Sequence, residues 1–88
     1  MKTIYKYEFQ ITDEQTIEIP EGSKILSIQK QHGCFYIWAM VDTDKQKEPF
    51  SIAIIGTGNP LWCTDYDYAG TIIADPFVWH LFYKSRYK

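Results

Sequence analysis

The sequence predicts an all-β fold, a small antiparallel barrel or a compact sandwich of about seven short strands. Three observations carry this. Several segments alternate apolar and polar residues with period two, the pattern of a half-buried strand. Turn chemistry separates them at close intervals, at Pro20-Glu21-Gly22, His32-Gly33, Asn59-Pro60 and Asp75-Pro76. No stretch makes a convincing helix. At 88 residues the chain is read as one domain, 1–88, with no internal repeat and no linker.

The first strand is expected over Thr3–Ile11. Tyr5, Tyr7, Phe9 and Ile11 point one way, and Lys6, Glu8 and Gln10 the other. Thr12–Gln15 is a turn, since Asp and Thr bond their own backbone there. A helix beginning at Asp13 is the competing reading. It fails because Gln15–Ile19 alternates again, which makes a short second strand. Pro20-Glu21-Gly22 then turns the chain, with proline presetting φ and glycine suiting the exit. The third strand is expected over Lys24–Gln31, with Leu26 and Ile28 inward and Ile25 on the polar face.

His32-Gly33 fits a two-residue hairpin turn, which needs positive φ. The fourth strand, Cys34–Val41, is apolar on both faces. Phe35, Ile37, Ala39 and Val41 form one face; Tyr36, Trp38 and Met40 form the other, an interface or a pocket wall. Such a strand is central or covered on both sides. Asp42–Pro49 is polar and charged and reads as a surface loop, ending at Pro49 on the edge of the next strand.

The fifth strand, Phe50–Ile55, is also apolar on both faces, with Phe50, Ile52 and Ile54 set against Ala53 and Ile55. It runs into the longest irregular stretch, Gly56–Asp67. Tyr68–Ala74 and Phe77–Lys84 are the last two strands, joined at Asp75-Pro76. Phe77, Trp79, Leu81 and Tyr83 share one face of the last; Val78, His80 and Phe82 share the other. The tail Ser85–Lys88 is basic and expected to fray.

A chain this short buries only about 60% of its unfolded surface. Its three Trp, seven Tyr and five Phe therefore cannot all be core. The surplus rings favour an oligomer interface or a stacking pocket, and a homo-oligomer is expected. The net charge is −2 and no basic stripe appears, which argues against long nucleic acid as a partner. A small anionic ligand needs only one or two cations and some backbone N–H groups. No apolar run approaches the roughly 20 residues of a spanning helix. No signal-peptide pattern opens the sequence, and Cys34 and Cys63 are too few for a secreted disulfide framework. The expectation is a cytoplasmic protein with two free thiols and no membrane contact.

Five places invite a functional reading. Gly56-Thr57-Gly58-Asn59 can bring backbone to a ligand and form an anion nest. It lacks the third glycine and helix of a dinucleotide site and the lysine of a phosphate loop, and Gly-x-Gly is mostly turn chemistry, so a bulge or turn ending the fifth strand is the favoured reading. The rings Trp38, Trp62, Trp79, Tyr66 and Tyr68 can sandwich a base or sugar at about 1–3 kcal/mol per stack. Trp79 is read as core, whereas Trp62, in a polar loop beside Pro60, is an interface anchor or a ligand lid. His80, on an apolar strand, is a hydrogen-bonded structural residue or a base. For a base, no partner carboxylate or nucleophile has a signature. His32, Cys34, Cys63, Asp65 and Asp67 match no standard metal spacing, and no metal or other cofactor is expected. Lys24, Lys30, Lys45, Lys47, Lys84 and Arg86 read as solvated faces and edge protection. Lys84 or Arg86 is placed to reach a phosphate if one binds.

The opening MKTIYKYEFQITDEQTIEIPEGSKILSIQKQHG, the W-A-M-V-D of the fourth strand, the I-I-G-T-G of the fifth and the closing F-V-W-H-L-F resemble a family of small uncharacterised phage and prophage proteins. The resemblance covers nearly the whole chain. Its recurring blocks fall at Ile11–Gly22, Gly56–Gly58 and Val78–His80. It implies a phage context and, for a phage protein, the host cytoplasm. Some phage proteins of similar size sequester a nucleotide immune signal, such as a cyclic oligonucleotide or a cyclic ADP-ribose relative. By that analogy the expected function is a sponge without turnover, binding a small anionic nucleotide-type ligand. Its ligand residues would be Gly56, Thr57, Gly58, Asn59, Trp62, Tyr66, Trp38 and His80. The alternative is a protein-interaction domain, either a phage structural accessory or an inhibitor of a host protein. An enzyme is not expected.

Overall fold

The computed structural model describes residues 1–85. Seven strands follow one another: β1 (Lys2–Phe9), β2 (Glu14–Pro20), β3 (Lys24–Gln31), β4 (Cys34–Asp42), β5 (Lys47–Gly56), β6 (Asp67–Ala74) and β7 (Phe77–Ser85). They form a three-stranded sheet, β1-β4-β3, and a four-stranded sheet, β2-β5-β7-β6, each antiparallel throughout. The barrel alternative is overturned. β6 packs across to β3 where the sheets come together, yet among the described residues no strand of one sheet pairs with a strand of the other. At that closure Gly70 lies on the Ile28 side chain, and a Cβ there would be 3.0 Å from two of its carbons. The two layers are a sandwich.

The core lies between the sheets. Phe9, Ile28, Ile37, Ala39 and Val41 from one meet Ile19, Phe50, Ile52, Ile54, Ile72 and Leu81 from the other. The alternation read from β4, β5 and β7 is the alternation observed. Ile37, Ala39 and Val41 are buried while Tyr36, Trp38 and Met40 face out, and Leu81 is buried between outward His80 and Phe82. His32 and Gly33 both take positive φ, 53° and 80°, as a two-residue hairpin between paired Gln31 and Cys34 requires.

Three expectations need correction. Leu26 does not face the core. A bulge between Ile25 and Ser27 leaves it outside the ladder and 45% exposed, and Ile25 packs inward in its place. One extra residue reverses the parity of every side chain beyond it. Tyr5, on the inward parity of edge strand β1, is exposed, and among the described strands β1 packs only against β4. The polar stretch 47–49 is not loop. Lys47, Glu48 and Pro49 pair with Pro20, Ile19 and Glu18, so β5 begins three residues earlier than expected. The strand bounds at Ile11 and Asp67 also shift by one or two residues. The basic tail beyond Ser85, with Arg86, lies outside the described residues.

Parity around the bulge is open to test by urea unfolding. Ile28→Ala is expected to cost about 2–5 kcal/mol, as for other buried large-to-small changes. Leu26→Ser is expected to stay within about 0.5 kcal/mol of the parent.

Candidate functional site

The outward face of β5 carries Ala53 and Ile55, and both are buried. Their cover is the chain's own loop, residues 57–66, which folds back over the sheet. Cys63 comes down on Ala53 and Ile55 at 1% exposure, with Tyr66 and Phe82 packed beside it. The loop is pinned at several points. Tyr66 N–H donates to the Cys63 carbonyl at 3.0 Å, closing a turn. Tyr66 hydroxyl donates to Glu14 Oε2 at 2.5 Å. Lys84 Nζ donates to Asp65 Oδ2 at 2.5 Å, which holds the Asp65 carboxyl below the usual range. That pair is exposed and contributes little to stability. Trp62 leans edge-on against Tyr66, ring centroids 5.6 Å apart, and remains 49% exposed.

The glycines of the preceding turn have different reasons to be glycine. Gly58 takes φ +90°, which L side chains rarely adopt. Gly56 is needed for space: a Cβ there would meet Asn59 Nδ2 at 2.8 Å and the Trp79 ring at 3.2 Å. The amides at Thr57 and Asn59 are engaged within the protein. Thr57 N–H donates to the Val78 carbonyl at 3.2 Å and Asn59 N–H to the Gly56 carbonyl at 3.0 Å. The turn also presents the Thr57 hydroxyl.

That hydroxyl opens a hydrogen-bonded row across the outer face. Thr57 Oγ1 is 2.8 Å from His80 Nε2, and His80 Nδ1 is 2.9 Å from Thr71 Oγ1. The Thr71 hydroxyl in turn bonds the Tyr68 hydroxyl. Register explains the meeting: Ile55, His80 and Thr71 sit side by side on β5, β7 and β6. Each hydroxyl has one proton, and a neutral imidazole has one N–H and one acceptor. The row therefore has two consistent polarities. In one, Thr57 donates to Nε2, Nδ1–H donates to Thr71, Thr71 donates to Tyr68, and the Tyr68 proton points out. In the other, every bond reverses and Thr57 presents the free proton. A guest accepting at either end can thus be met by reversing the row. The imidazole has hydroxyls on both nitrogens and no carboxylate orienting it, so it lacks the arrangement of an activated base.

Beside the row is a shallow concavity of about 250 Å³, lined by Ile55, Leu61, His80 and Phe82 together with Gly56–Asn59. On the other side of the same turn, a second concavity of about 400 Å³ is lined by Thr57, Asn59, Pro76, Phe77, Val78 and Trp79. The peptide bond Asp75–Pro76 at its edge is cis.

The structure brings Gly56, Thr57, Gly58, Asn59 and His80 together. Tyr66 and Trp62 belong to the clamp of the covering loop, and Leu61 rather than Trp62 reaches the concavity. Trp38 is elsewhere, on the outer face of the three-stranded sheet, its register partners being Lys6 and Ser27. There Lys6 Nζ stands 4.4 Å over the Tyr36 ring and 6.0 Å from that of Trp38. Among the described residues no three His, Cys, Asp or Glu side chains gather as metal ligands, and both cysteines are free thiols. Thr71, Leu61 and Phe82 were not singled out in the sequence. Phe82 shares parity with His80, a signal available in advance; Thr71 needs the β6–β7 register, which the bulge between Tyr68 and Gly70 shifts.

The molecule is thus a seven-stranded antiparallel sandwich whose larger sheet has an outer face half covered by its own loop and half occupied by a His–Thr–Tyr row. The chain belongs to the family described as Domain of unknown function (DUF7352), whose model matches residues 1–88. No curated protein and no solved structure matches it.

If the loop covers the sheet in solution, a thiol reagent should label half-buried Cys34 in the native protein and reach Cys63 only on unfolding. Burial also pushes the Cys63 thiol up, which slows its reaction further. Tyr66 offers a titration. Its phenol is pushed up from 10.0 to about 12, first by the hydrogen bond to Glu14 and then by burial. The folded value exceeds the unfolded one, so its stabilisation is complete below about pH 10 and is lost as pH rises through about 12. Burial also pushes the Tyr7 and Tyr36 phenols up, so absorbance at alkaline pH should show several late tyrosines, of which Glu14→Gln should bring only the Tyr66 ionisation earlier.

Proposed function

We propose that this chain is a non-catalytic binding protein that captures a small nucleotide-derived ligand at the Gly56–Asn59 turn and His80. The observation that carries this reading is the reversible Thr57–His80–Thr71–Tyr68 row beside an apolar concavity. A heterocycle has what such a place recognises: a flat face for Phe82 and Leu61, and edge donors and acceptors for the row. The engaged amides of Thr57 and Asn59 shift the recognition from phosphate to base. No turnover is required of the imidazole in this role. The resemblance to phage proteins supplies a use for capture without chemistry, namely sequestration of a host immune signal, and a homo-oligomer would double the site's walls.

Around the row stand exposed Leu61, Trp62, Tyr68 and Ile73, with Phe77 at the hairpin tip. They favour a second reading, in which the same face binds a host protein.

A thermal-shift panel of cyclic nucleotides, cyclic oligonucleotides and ADP-ribose derivatives separates the two. A ligand at a hundred times its dissociation constant stabilises by about 2.7 kcal/mol. In a domain of this size that is a rise of roughly 10–20 °C in Tm. The shift should vanish in His80→Ala and Thr57→Val and persist in Trp38→Ala. No shift with any member, together with a stoichiometric protein partner lost on Leu61→Ser, would replace the first reading with the second.

A further inference from the structure

β5 has a second end, and its chemistry differs. Glu48 is 4% exposed, the one buried charged side chain among the described residues. Its parity is that of Phe50, Ile52 and Ile54, so it points between the sheets, opposite Ile19 of β2. One carboxylate oxygen, Oε1, accepts from Ser85 Oγ at 2.7 Å. The other, Oε2, is buried and has no hydrogen-bond partner among the described residues. A carboxylate in that position is costly unless something meets it.

The carboxylate lines a concavity of about 510 Å³ at this end of the sandwich, between the β2–β3 turn and the ends of β5 and β7. Ser23 and Lys24 are on its turn side, and Ser85 lies beside Glu48. Phe50 and Tyr83 supply apolar wall, their rings stacked with centroids 5.2 Å apart and planes 16° from parallel. The Ser23 hydroxyl is taken by the Pro20 carbonyl at 2.6 Å, and Lys24 forms no ion pair with Glu48. The volume lies within the usual range for a small-molecule site.

The geometry points to a cation site: Glu48 and the Phe50–Tyr83 rings bind a small guest, or one side chain, that carries an amidinium or guanidinium group. Such a group offsets the Glu48 charge and lays its planar, weakly hydrated face against the rings, which also attract it electrostatically. A neutral guest would leave the buried charge uncompensated. The site is separate from the His80 row, being at the other end of β5, and does not depend on the function proposed for that row.

Titration of the full chain with benzamidine and with acetylated, amidated arginine, followed by amide NMR, tests this. Saturable binding should perturb Glu48, Phe50 and Ser85 and leave His80 and Thr57 unmoved. Benzamide, which is neutral and of the same shape, should bind at least ten-fold more weakly. Glu48→Gln, if folded by circular dichroism, should lose at least ten-fold in affinity. Binding of benzamidine alone marks a free aryl cation as the guest; binding of the capped arginine marks a side chain. The proposal is overturned by a concavity that holds water only, seen as no saturable binding of either probe. It is equally overturned by perturbations centred away from Glu48, or by benzamide binding as well as benzamidine.

Discussion

The structure depends on a strand that must be covered twice. β5 is central in its sheet and apolar on both faces, and burial of apolar surface is the dominant favourable term in a small domain. Its inner face, Phe50, Ile52 and Ile54, is met by the opposite sheet. Its outer face, Ala53 and Ile55, has no third layer to meet it. The chain resolves this by folding the loop after β5 back over that face and setting Cys63 into it. Cys63 and Tyr66 of that loop act as the missing layer, while Leu61 and Trp62 stay exposed.

The cover is partial, and its edge generates the candidate site. Where the loop stops, β6 and β7 leave polar groups in the same plane as Ile55. His80 and Thr71 occupy register positions that continue outward from it. Thr57, on the first residue of the loop, closes the row from the other side. A buried apolar patch, a partly covered rim and a hydrogen-bonded row thus arise from one packing requirement. Gly56 and Gly58 serve it too. One lets Trp79 and Asn59 close on the strand end, and the other provides the left-handed residue of the turn.

The opposite end of β5 meets a different constraint. There the strand extends past its apolar run into Glu48, whose parity carries a carboxylate into the space between the sheets. The same alternation that hides Phe50 and Ile52 hides a charge. The two ends of one strand accordingly present unlike surroundings, a neutral hydrogen-bonding row at one and an anionic, ring-walled concavity at the other.

Much of this was legible in the sequence. Period-two alternation is local, so β4, β5 and β7 could be assigned to faces residue by residue. The His32-Gly33 hairpin was legible because positive φ is a local demand. Gly56–Asn59 and His80 were also marked by residue type. What the sequence left open was decided by contacts distant along the chain. Bulges are one case: Leu26 turned out and Ile25 turned in because a ladder admitted one extra residue, which no local pattern announces. Partnership is another. Thr71 acquired a role through its register with His80, Trp38 proved to lie on the other sheet, and Glu48, polar by every local measure, was buried by the pairing of 47–49 with β2. Side-chain period belongs to the single strand and can be read from it. Which strands meet, and in what register, depends on covering the most apolar surface, and only the tertiary structure settles that.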